Sequence, residues 1–166
     1  MTAVFPQLPI AIVFYFVALL LHVLTVRRLT AFSFVIVGVL LLDFLHVGYE
    51  FFLKSYFHDP ALSTLVYYGW YLGFALSDFA FVALIAGICK NAHLKLDIAS
   101  KVILSLYVLL GVIQLFSLVE RLIVSSKVAF YFYTQSIPIL NFVIAFTLFG
   151  FIVTTLLSSL RQQKTV

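Results

Sequence analysis

Long apolar runs separated by short polar clusters organise the whole chain. Five runs stand out, at 8–26, 31–53, 62–89, 98–120 and 137–158. Each is close to the roughly 20 residues that carry an α-helix, rising about 1.5 Å per residue, through a hydrocarbon core of about 30 Å. The pattern therefore predicts an all-α fold, a single integral membrane domain over 1–166 with five transmembrane helices. A four-span arrangement with the last run re-entrant is the alternative. The connections are a basic turn of Arg27, Arg28, Leu29 and Thr30, a polar turn around His58, Asp59 and Pro60, a basic turn from Lys90 to Asp97, and a longer stretch from Arg121 to Ser136. That last stretch mixes apolar and polar residues and is expected to lie flat on the membrane surface or to lengthen the fourth helix. Pro138 stands at the start of the fifth run, where a missing amide donor costs little, and reads as a helix start.

Charge sets the expected orientation. Placing alternate connections on opposite sides gathers Arg27, Arg28, Lys90, Lys95, Lys101, Arg161 and Lys164 on one side, against Lys54, Arg121 and Lys127 on the other. The positive-inside rule then predicts the amino terminus outside and the carboxyl terminus inside. Tyr49, Tyr56, Tyr67, Tyr68, Trp70, Tyr71, Tyr131 and Tyr133 fall toward the outer ends, as an interfacial aromatic belt requires. The first run has no positive residue before Arg27 and no small-residue cleavage pattern after it, so a retained span is expected rather than a removable signal. Phenylalanine-rich spans with very short connections point to a bacterial cytoplasmic (inner) membrane.

Composition narrows the classes further. With 64% hydrophobic and 10% charged residues, the chain is not an ordinary soluble domain and leaves no room for a large extramembrane one. Its net charge of +4 is scattered in ones and twos, which argues against nucleic-acid binding. The single cysteine, Cys89, excludes an intrachain disulfide and a multi-cysteine metal site. In the third run, Gly69, Gly73 and Ser77 recur every four residues, a small-residue face suited to close helix packing, within the chain or between copies of it.

Candidate chemistry lies in the ionisable residues inside the apolar runs: His22, Asp43, His46, Glu50 and Asp78. Facing lipid, a charged side chain at mid-membrane costs about 3 kcal/mol, so these are expected to face inward. Asp43, His46 and Glu50 stand at i, i+3 and i+7 and share one helix face. By helical rise, Asp43 and Asp78 sit near the midplane, His46, Glu50, Gln114 and Asn141 in the outer half, and His22 toward Arg27 and Arg28. Joined, they sketch a polar track across the membrane. No Lys or Arg lies at midplane depth, so at least one of the two aspartates is expected to carry a proton at neutral pH.

These positions support a proton or small-cation pathway in a homo-oligomer, with Asp43 and Asp78 as the midplane station and His46, Glu50 and His22 as relays. A buried hydrogen-bond network that fixes helix register is the structural counterpart. Another reading is a membrane sensor or anchor, of a signalling or antiviral defence assembly, whose basic inner face (Arg27, Arg28, Lys90, Lys95, Lys101) holds a soluble cytoplasmic partner or membrane lipids. Asp43, His46, Glu50 and Asp78 could in principle ligate a metal, but their spacing is no metal motif. Paired membrane aspartates also suit an aspartyl-type hydrolase. Here Asp43 follows Leu41 and Leu42, and Asp78 follows Ser77, without the tyrosine or glycine flanks of those enzymes. A non-enzymatic protein without a cofactor is the expectation.

Overall fold

The computed structural model describes residues 10–26, 28–123 and 127–163, with the backbone alone for 127–130, 159 and 161–163. Five helices form: α1 (Ile10–Val26), α2 (Ala31–Ser55), α3 (Ser63–Asn91), α4 (Ile98–Ile123) and α5 (Lys127–Gln163). Among the described residues there is no strand. The apolar stretches Ala31–Ser55, Ser63–Asn91, Ile98–Ile123 and Tyr131–Ser158 are each long and apolar enough to cross a membrane. The described part of α1 is equally apolar but has 17 residues, which as helix covers about 26 Å.

The helices close into a ring in chain order, each packed on the next and α5 returning to α1, with α2 also touching α4. Side-chain pairs run in opposite directions along neighbours, as in Tyr49 with Gly69 against His46 with Ser77. Consecutive helices are therefore antiparallel, as their short connections demand. The end bearing the 56–62 connection is called upper here, and the end bearing the 28–30 and 92–97 connections lower.

Local sequence fixes where the helices begin and end. Thr30 caps α2: its side chain accepts from the Ser33 amide while Ser33 Oγ accepts from the Thr30 amide, a reciprocal capping box. Asp97 does the same service for α4, accepting from the Ser100 amide at 2.8 Å and from the Ser100 hydroxyl at 2.9 Å. At the end of α3 the Leu94 amide reaches back to the Cys89 carbonyl and the His93 amide to that of Lys90, the paired bonds of a Schellman motif.

The fifth helix differs from the sequence-based expectation. Residues 121–123 lengthen α4 by just under one turn, residues 127–136 belong to α5, and Pro138 is inside that helix rather than at its start. Tertiary contacts explain the difference. Trp70 Nε1 donates to the Tyr133 hydroxyl at 3.2 Å, and the Tyr71 and Tyr133 rings lie 5.2 Å apart, so α3 holds this first part of α5 in place. Pro138 is on the exposed side of the helix, and membrane helices tolerate such interruptions where neighbours stabilise the segment.

Candidate functional site

A cavity of about 260 Å³ occupies the upper half of the ring, and all five helices line it. Helical periodicity decides which residues reach it. α2 turns Asp43, His46 and Glu50 inward, α3 turns Trp70, Phe74 and Asp78 inward at four-residue steps, and α5 does the same with Tyr133, Ile137 and Asn141. Tyr107 and Gln114 of α4 and Tyr15 of α1 complete the wall. The cavity reaches the surface beside Glu50, whose side chain is 42% exposed and pairs with Lys54 one turn above it. Its deep end is bounded by Asp78, only 1% exposed, and by the buried rings of Tyr15 and Tyr107.

The polar contacts are specific. Ser77 Oγ donates to the Phe74 carbonyl at 2.8 Å, so its only hydrogen is engaged, and the 2.7 Å contact with His46 Nε2 requires the imidazole to donate. The same nitrogen lies 3.8 Å from Asp78 Oδ1. Gln114 Nε2 donates to Asp78 Oδ2 at 3.4 Å, tying α4 to α3. Asp78 Oδ1 and Gln114 Oε1 are buried and have no hydrogen-bond partner among the described residues.

No known protein family, curated protein or solved structure matches the chain. The site is therefore read from its geometry alone.

Of the residues singled out by sequence, Asp43, His46, Glu50 and Asp78 share the cavity, together with Gln114 and Asn141. His22 does not join them. It is buried at the lower end of α1, hydrogen-bonded to Ser33 Oγ at 2.9 Å and packed edge-on against Phe32. Between it and the cavity lies an apolar layer that includes Val35, Ile36, Val39, Ile103 and Leu148, all fully buried. The continuous track drawn from helical depth is thus interrupted in the lower half. Depth along a helix gives height but not azimuth, and the ring packing fills that level with branched side chains.

Gly69, Gly73 and Ser77 lie against Tyr49 and His46 of α2 in the same chain. Arg28, Lys90, Lys95 and Lys101 are exposed at the lower end, while Arg27 falls outside the described residues. Among the described residues no three His, Cys, Asp or Glu side chains converge as a metal-binding group. The aromatic wall was not legible as part of a site: Phe74 and Tyr107 look like ordinary apolar-run residues. The one available signal was the phenol of Tyr107 in the middle of α4, a polar atom at a depth where lipid offers it no partner.

Proposed function

We propose that this integral membrane protein takes up a small cation, down to the proton itself, from its upper end into a site at mid-membrane depth. Asp43 and Asp78 form the anionic station, and Glu50 and His46 lead to it. One observation carries this reading: the carboxyl groups of Asp43 and Asp78 line the cavity with no Lys or Arg among its lining residues, and the third, Glu50, pairs with Lys54 at the mouth. In a low-dielectric wall such an excess of one sign concentrates counter-charge. All five helices of one chain contribute to the wall of this site.

The apolar layer below the cavity keeps this arrangement open to one side, so passage across the membrane requires that layer to part. With the exposed Arg28, Lys90, Lys95 and Lys101 at the lower end, the positive-inside rule makes that end cytoplasmic and the cavity mouth external. This orientation suits a cytoplasmic membrane with the amino terminus outside.

Flux into liposomes under an imposed pH gradient or membrane potential tests the reading. Wild type is expected to move protons or a small cation, and Asp43→Asn and Asp78→Asn to lose that flux while still folding. Wild-type conduction by both variants sinks the proposal.

The exposed lysines favour a second reading, in which the basic lower end holds an acidic soluble partner or anionic headgroups. Replacing Lys90, Lys95 and Lys101 together by Gln is expected to release a partner that co-purifies with the wild type; retention removes this reading.

A further inference from the structure

We infer that the cavity takes a small organic ammonium ion, its N–H donors turned to Asp78 and Gln114 and its alkyl part lying against Trp70 and Phe74. This rests on the cation reading above and names the class of cation.

Two buried atoms point to a donor-rich ligand. Asp78 Oδ1 and Gln114 Oε1 both line the same cavity, both lack a hydrogen-bond partner among the described residues, and their side chains are 1% and 5% exposed as residues. Both are acceptors. An acceptor buried without a donor is unfavourable, and an ammonium group, with up to three N–H donors and a full positive charge, satisfies two of them at once. The Gln114 oxygen is a second, uncharged acceptor beside the carboxyl group: its own amide nitrogen is already committed to Asp78 Oδ2.

The rest of the wall selects an organic cation over a metal ion. A hard divalent cation demands six or more oxygen ligands, and among the described residues no three acidic, imidazole or thiol groups converge. Instead, Trp70 and Phe74 stand on the same face of α3 as Asp78, two turns and one turn above it. Their rings pack on each other at 5.4 Å, and Phe74 also packs on His46 at 4.8 Å, so the wall is held in place. Aromatic faces attract organic ammonium groups and give apolar cover to a short alkyl chain. The volume of about 260 Å³ is near eight to nine times the roughly 30 Å³ share of one water, and below the roughly 300 Å³ at which drug-sized pockets begin. The space admits a cation of up to about eight or nine heavy atoms, head down and tail toward the mouth.

Trp70 is the only tryptophan in the chain, so its emission reports on the cavity. The full chain in detergent micelles, with no other protein present, is titrated with n-propylammonium chloride, with n-propanol as the neutral counterpart, and with sodium and potassium chloride at matched ionic strength; a pH series is run in parallel. The expected result is a saturable change with n-propylammonium, at a half-saturation at least tenfold below that of either metal salt, and none with n-propanol. Asp78→Asn and Gln114→Leu are each expected to raise that half-saturation tenfold or more. The wild-type comparison among ligands stands even if a variant does not fold. Equal responses to n-propanol and n-propylammonium overturn the ammonium assignment. A response to sodium, potassium or pH without preference for n-propylammonium overturns it too, but leaves the cation reading intact. Silence toward every cation overturns both.

Discussion

The Tyr49 hydroxyl donates to the Gly69 carbonyl at 2.8 Å, and the phenol ring crosses from α2 to cover Gly73 one turn further along α3. A side chain at 73 would meet that ring directly. The small-residue face of α3 is thus matched to one large residue of α2, at the level where the cavity wall of Phe74 and His46 begins.

Gly73→Ala is expected to lower thermal stability. The added methyl overpacks against Tyr49, a cost of about 1–3 kcal/mol, which outweighs the gain of about 1 kcal/mol that alanine brings to a helix interior over glycine. Unfolding in detergent followed by circular dichroism measures the change, and combining it with Tyr49→Ala should relieve much of the loss. A Gly73→Ala protein more stable than wild type would show that Tyr49 swings aside freely.

Ser33 serves two partners, the α2 capping box and the buried His22. Ser33→Ala removes half of the box and leaves His22 Nε2 without its hydroxyl. His22 Nδ1 already has no hydrogen-bond partner among the described residues. The two losses together are expected to cost about 2 kcal/mol. His22→Phe in the same background tests the coupling: if the histidine is the sensitive partner, Ser33→Ala costs less there, and a double-mutant cycle that shows strict additivity contradicts the linkage.

His93 closes α3 in the left-handed region, with φ 53°, while exposed to solvent. A side chain there costs roughly 1–2 kcal/mol that glycine avoids, although glycine gives up some of this through unfolded-chain entropy. His93→Gly is expected to raise stability by about 0.5–1 kcal/mol, seen as a higher unfolding midpoint with uptake unchanged. A lower midpoint would mean that the His93 side chain contributes contacts that outweigh its backbone strain.

Much of this molecule was legible from its residues. Apolar runs bounded by charges marked α2, α3 and α4 to within a few residues, because the cost of placing Lys, Arg or Asp in lipid limits where such runs can end. The i, i+3, i+7 spacing of Asp43, His46 and Glu50 put them on one face, and their shared cavity follows from that face pointing inward. The start of α5 was less legible. Polar residues and Pro138 are local signals of a boundary, and they are overruled by the packing of Tyr133 on Trp70 and Tyr71, residues more than 60 positions away in sequence.

The sequence by itself determined that the chain is a membrane-type helical bundle and which residues are too polar to face lipid. Both follow from transfer free energies that depend on residue type and helical period alone. Only the tertiary structure decided that Asp78 meets His46 and Gln114, that Trp70 and Phe74 turn the polar face into a walled cavity, and that His22 is cut off below an apolar layer. Those outcomes depend on how each helix is rotated about its axis in the ring, and rotation is settled by side-chain packing between helices, which no single run of sequence contains.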